Sequence, residues 1–283
     1  MLTKTEYAFS TEEMNYLQHG DRKLKLRIYK PEGNETFPCV IDLHGGAWCV
    51  SDLEDCRERD EILARSGITA IGLDFRDGSD GYPTSNIDIN FAIRWAKANA
   101  AKLGTRADLI GLCGQSSGGH LAMLAAMRPT DTRYTSQPLT ANVDATVNAV
   151  CMVWPVINPI SRYRNALRLR AGENPAWVKD IPERHVRYWK TDDTMIEGNP
   201  MLAMERGEKM QMPPAMWIQG QPDPTHDYRD PESPIPGNEP ERFTANYRRL
   251  GGQIELRYIP QASRAEAATS EMVAAFFHAH LKP

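Results

Sequence analysis

Apolar and polar positions along the chain follow two rhythms. In Lys23–Tyr29, Leu24, Leu26 and Ile28 alternate with Lys and Arg, the period-two pattern of a half-exposed edge strand. Pro38–Leu43 and Ile68–Phe75 are apolar runs that read as buried strands, with a helix between them around Asp55–Ser66. In Ile87–Leu103 the apolar residues Ile89, Phe91, Ala92, Trp95 and Ala96 recur at helical spacing. Further strand-like runs fall at Leu109–Cys113, Val147–Val153, Pro214–Ile218 and Ile254–Ile259, and helix-like runs at His120–Met127 and Glu266–Leu281. Strands alternating with helices predict an α/β chain, a mostly parallel central sheet with helices on both faces. The first 22 residues are largely polar and read as an N-terminal arm or a short cap helix. The stretch between Val153 and Pro213 is too long for a simple connection.

Parallel sheets of this kind bind ligands at the carboxyl ends of their strands. Three such ends carry chemistry. Gly114-Gln115-Ser116-Ser117-Gly118 joins a strand-like run to a helix-like one, the setting of a nucleophile elbow that holds a serine hydroxyl exposed on a strained turn. A Cβ at Gly114 or Gly118 would collide where strand and helix cross. Upstream, His44-Gly45-Gly46-Ala47-Trp48 follows its own strand. Glycines at such a place leave backbone N–H groups free to stabilise an oxyanion, and the N–H after the nucleophile, that of Ser117, is the usual second donor. The third end, after Pro214–Ile218, carries Asp223 in Gly220-Gln221-Pro222-Asp223-Pro224.

Four stretches together resemble the α/β-hydrolase fold, in its hormone-sensitive-lipase-like and acetyl-esterase branch. They are His44–Trp48; Asp74-Phe75-Arg76 with Tyr82-Pro83; Gly114–Ala122; and Pro213–Gly220 with Asp223-Pro224. The resemblance runs from about residue 22 to the end and implies a hydrolase domain over 23–283. It also implies a helical cap insertion at about 156–212, over the serine. Trp177, Tyr188, Trp189, Met195 and Met201 there would line an acyl or alcohol pocket, or hold the cap to the sheet.

The resemblance makes Asp223 the acid that orients a base. It also expects a histidine in the loop after the last strand. That loop reads Tyr258-Ile259-Pro260-Gln261-Ala262-Ser263-Arg264, with Arg264 near the histidine's place. A guanidinium stays protonated and has no lone pair, so it is no base; it could instead pair with Asp223. Among the seven histidines, His44 reads as an orienter of the glycine loop and His120 as structural. His278 and His280 sit on the terminal helix, while His19 and His185 are candidates without a positional argument. His226, three residues after Asp223, is the expected base, with a surface-loop histidine as the competing reading.

Composition excludes little. Net charge is -4 and no basic cluster appears, so nucleic acid is not an expected partner. No apolar run reaches the ~18 residues of a membrane span, and the N-terminus has no apolar signal region. Cys39, Cys49, Cys56, Cys113 and Cys151 read as free thiols of a reducing compartment, giving a cytoplasmic expectation. No cofactor is expected, and Cys49 and Cys56 lack zinc-site spacing. The expected partner is a small-molecule substrate; a homodimer stays open. Two functions compete. One is a serine hydrolase cleaving a small or medium carboxylic ester, amide or carbamate through an acyl-Ser116 intermediate. The other is a non-hydrolytic descendant that binds a small molecule or runs lyase-type chemistry, suggested by the missing loop histidine.

Overall fold

The structure, a computed structural model, describes residues 6–282. An eight-stranded sheet forms its centre, with strands β1 (Phe9–His19), β2 (Arg22–Pro31), β3 (Cys39–Leu43), β4 (Thr69–Leu73), β5 (Ile110–Gln115), β6 (Ala149–Val153), β7 (Ala215–Gln221) and β8 (Ile254–Pro260). Their spatial order is β1-β2-β4-β3-β5-β6-β7-β8. β1 and β2 pair antiparallel, β2 meets β4 antiparallel, and all later pairs are parallel. This is the α/β architecture expected.

Helices α1 (Arg57–Arg65), α2 (Thr84–Ala98), α3 (Ala100–Leu103), α4 (Ser117–Met127), α5 (Pro159–Ala171), α6 (Ile181–Trp189), α7 (Asp192–Glu197), α8 (Pro200–Glu205), α9 (Glu239–Arg249) and α10 (Ala267–His280) connect the strands. β3, β4 and β6 are buried at every position, and β5 at all but Gln115, because helices cover both faces, which is why they read as largely apolar runs. Two apolar clusters result. One holds Ile41, Leu73, Leu112, Leu121 and Trp217, and the other Val40, Ala70, Cys151, Val273 and Phe277. Each fully buried aliphatic side chain contributes about 1.5–3 kcal/mol relative to exposure.

Two expectations need correction. The N-terminal segment is neither an arm nor a cap helix where it is described, since Phe9–His19 is the outermost strand; residues 1–5 lie outside the described residues. Its polar look is that of a sheet edge. Most of β1 faces solvent, and a register shift between Asn15 and Leu17 leaves adjacent Tyr16 and Leu17 both buried. Consequently Lys23–Tyr29 is not an edge, because β2 has partners on both sides.

Residues 156–212 hold α5 to α8. Proline at N1 opens α5 and α8, and Asn158 and Asn199 cap them by accepting from the N–H groups of Ser161 and Leu202. Their aromatic residues pack inward onto Trp48 of the glycine loop. Ring centroids lie 5.4 Å from Trp48 for Trp189, 5.0 Å for His185 and 6.1 Å for Tyr188. Tyr188, Trp189, Met195 and Met201 are buried. That burial matches a role in fastening these helices to the sheet.

Candidate active site

Ser116 stands between β5 and α4 with φ 51° and ψ −119°, a left-handed conformation that costs a non-glycine residue about 1–3 kcal/mol. The surroundings enforce it. Its N–H donates to Val153 O (3.0 Å), while its carbonyl accepts from the N–H groups of His120 (3.2 Å) and Val156 (3.1 Å). A Cβ on Gly114 would strike the Gly118 carbonyl, and one on Gly118 the carbonyls of Leu43 and His44. The two glycines let strand, helix and glycine loop converge on the serine.

The glycine loop leaves β3 beside this turn. A Cβ on Gly45 would lie 3.4 Å from Ser116 Cβ, so the two backbones are neighbours. Gly46 has φ 90° and no room for a side chain against Val50. Its carbonyl accepts from the N–H groups of Cys49 (3.1 Å) and Val50 (3.2 Å), and the Trp48 N–H donates to Ser117 Oγ (3.1 Å). Among the described residues the N–H groups of Gly45 and Gly46 donate to nothing. The Ser117 N–H is the first of α4 and has no acceptor within the helix. His44 lies under the loop, stacked on Phe75 at 4.2 Å, with its Nδ1 donating to Gly45 O at 3.2 Å.

Asp223 and His226, the expected acid and base, lie in one turn after β7. His226 Nδ1 donates to Asp223 Oδ2 at 2.9 Å, which leaves Nε2 as acceptor for the Ser116 hydroxyl at 3.1 Å. Asp223 and His226 are buried, and Ser116 is partly exposed. The turn is closed by Thr225 N–H on Asp223 Oδ1 (3.2 Å) and by the N–H groups of His226 and Asp227 on Asp223 O. Gln219 Nε2 adds a bond to Asp223 Oδ2 (3.2 Å).

Burial is the largest influence on both groups. It lowers the His226 pKa to about 4, against the raising effect of Asp223 and with the Arg162 and Arg264 cations lowering it further. The imidazole is therefore neutral, able to accept a proton, at neutral pH. Burial raises the Asp223 carboxyl, but the His226 bond, Arg264 and the Thr225 N–H outweigh it and hold the pKa below its usual value.

Arg264 sits on the 3₁₀ turn Gln261–Ala265 after β8, its Nη1 donating to Asp223 Oδ2 at 3.2 Å and its guanidinium 3.9 Å from the Trp154 ring centre. The remaining histidines are engaged elsewhere. His120 accepts from Trp48 Nε1 (3.2 Å) and donates to Gly198 O (2.8 Å). His19 bonds Asp88, His185 bonds Ile181 O and His278 bonds Ser66 O. The structure thus brings Ser116, Asp223, His226 and the glycine loop together. Sequence reasoning missed a polar support beside the serine, in which Arg59 pairs with buried Asp42 and donates to Gln115 Oε1 (3.0 Å), while Gln115 reaches exposed Asp55 (3.1 Å). No local pattern signals it, because its members come from three segments, β3, the stretch around Asp55–Arg59 and β5.

The sheet order, the elbow after β5 and the Asp223 loop after β7 define a protein of the α/β-hydrolase fold. The BD-FAE family profile matches residues 26–230, and the chain belongs to that family. An arylesterase of Saccharolobus solfataricus is 34% identical over 115 residues, 40% of this chain and 38% of that protein. A probable carboxylic ester hydrolase, LipM, of Mycobacterium tuberculosis is 30% identical over 134 residues, 47% of this chain and 30% of that protein. The chain therefore spans about a third of the length of these relatives, 38% and 30%. A hyperthermophilic esterase from Pyrobaculum calidifontis superposes with a TM-score of 0.74 at 20% identity, covering 97% of this chain and 87% of its own. EstE1, a thermostable carboxylesterase from a metagenomic library, gives 0.72 at 19%, with 98% and 92% covered. No helix among the described residues is long and apolar enough to cross a membrane.

Proposed function

We propose that the chain is a serine hydrolase of carboxylic esters, with Ser116 as nucleophile, His226 as general base and acid, Asp223 as its orienter, and the N–H groups of Gly45, Gly46 and Ser117 as oxyanion donors. The observation that carries this is the continuous hydrogen-bonded line from Ser116 Oγ through His226 to Asp223, at 3.1 and 2.9 Å. Ser116 Oγ attacks the ester carbonyl carbon as its proton passes to His226 Nε2. The imidazolium is stabilised by Asp223, and the carbonyl oxygen, now an anion, rests on the free backbone N–H groups. Collapse breaks the bond to the alkoxy oxygen, which leaves as the alcohol with the His226 proton. Water then attacks acyl-Ser116 with His226 as base, releasing the carboxylic acid and restoring the serine.

The non-hydrolytic reading rested on a missing base, and His226 within hydrogen-bond reach of Ser116 removes its motive. Tight packing of α5 to α8 over the site supports esters of small or medium size as substrates, and the five free cysteines support a cytoplasmic location. The test is covalent labelling. A phosphonate reagent should add to Ser116 and abolish turnover of activated short-chain esters, and Ser116→Ala protein should neither label nor turn over. Equal turnover by wild type and the alanine variant would overturn the assignment.

A further inference from the structure

One buried cation near the relay has no counterion. Arg162, on the first turn of α5, is 3% exposed. Its Nε and Nη1 are buried without a hydrogen-bond partner, and no carboxylate pairs with it among the described residues. The other buried arginines are all paired: Arg59 with Asp42, Arg128 with Glu197 and Glu208, Arg242 with Glu205. Arg162 lies over the Trp177 ring, 5.1 Å from its guanidinium carbon, and feels Asp223 only at a distance, without a hydrogen bond; a cation–π contact returns a fraction of what desolvating a charge costs. Burial lowers its pKa to about 10, so it stays cationic at neutral pH.

Its place in the fold is beside the proposed relay, within electrostatic reach of His226 and Asp223. The Val156 N–H donates to Ser116 O, and two residues later Asn158 caps α5. Ser161 Oγ accepts from Tyr228 Oη at 3.3 Å, and Tyr228 is two residues beyond His226. The Arg162 charge is felt at His226 and at Asp223. On the other side, Tyr163 stacks on His185 (5.9 Å), whose Nε2 is a second buried polar atom without a partner.

We propose that Arg162 is a specificity-determining residue that takes a carboxylate on the substrate, so that the preferred substrates are small esters bearing a carboxylate a few atoms from the scissile bond, such as half-esters of dicarboxylic acids. A guanidinium offers a planar fork that matches a carboxylate, and the positive end of α5 adds to the attraction. The substrate thereby supplies the counterion that the protein omits. This proposal rests on the ester-hydrolase reading.

The test compares monomethyl succinate with methyl butyrate, equal in chain length and differing in carboxylate against methyl, by pH-stat kinetics. Wild type should show kcat/KM at least tenfold higher for the anionic ester. That ratio should fall to about one in Arg162→Met and recover in part in Arg162→Lys. A wild-type ratio near one, or a ratio unchanged in Arg162→Met, overturns the proposal; if Arg162→Met fails to fold by circular dichroism, the wild-type ratio decides. Calorimetry on Ser116→Ala protein separates the two readings. It should bind monomethyl succinate at least tenfold more tightly than methyl butyrate, and equal affinity overturns the Arg162 assignment. If wild type hydrolyses neither ester while that tenfold difference persists, the hydrolase reading falls and the anion site stands.

Discussion

The loops after β7 and β8 leave the sheet side by side, since Gln221 pairs with Pro260 at the ends of the two strands, yet they do opposite work. The first carries the proposed acid and base within one turn, Asp223 and His226, hydrogen-bonded to each other. The second, where the family resemblance expects the histidine, carries Arg264, which reaches across to Asp223 and lies on Trp154. The relay needs an imidazole between a carboxylate and the serine hydroxyl, and it is indifferent to which loop supplies it. A three-residue separation in a tight turn meets that need in the proposed relay, and the other loop places a cation, Arg264, on the Asp223 carboxylate.

The largest effect comes from breaking the first loop's line to the serine. Ser116→Ala and His226→Ala should each lower kcat for an activated ester by about 10⁴–10⁶-fold, and the double variant should be no worse, because relay members act as a unit. If His226→Ala retained more than a tenth of wild-type kcat, the base would lie elsewhere. Asp223→Asn comes next, at about 10⁴-fold in kcat, through the wrong imidazole tautomer. Single-turnover kinetics with equal protein concentrations would check both.

Arg264→Leu probes the second loop and should cost far less, roughly tenfold in kcat, because Gln219 and Thr225 still hold Asp223. Its distinguishing mark is in the pH profile. Wild type should keep kcat/KM down to an acid limb near the His226 pKa of about 4. Arg264 is one of the charges depressing that pKa, so its removal should move the limb upward. A limb that stays in place would reduce Arg264 to packing.

The smallest effect concerns stability. Burial lowers the pKa of His226 to about 4 and those of His120 and His185 to about 3, all below the unfolded value of 6.5. Below pH 6.5 the unfolded chain therefore binds more protons than the folded one, and stability falls as the pH drops through the window from 6.5 toward 3. Urea midpoints should decline across that window, and less steeply in His120→Gln, which keeps a side chain able to donate to Gly198 O.

Sequence alone determined what depends on near neighbours. The parallel α/β pattern, the elbow at Ser116 and the paired glycines after β3 are local demands of burial and backbone sterics, so they appear as runs and motifs. The Asp223–His226 pair was also within reach, since three residues in a turn can bond directly. What joins that pair to Ser116 spans 110 residues and depends on where β5 and β7 stop, one strand apart in the sheet. The same holds for β1, whose polar residues face solvent at an edge and carry no apolar run. It holds for Arg264, whose role follows from the neighbouring strand, and for Arg162, whose lack of a counterion is a property of everything packed around it. Only tertiary structure decides such contacts, because they are set by the packing of distant segments and leave no spacing in the chain.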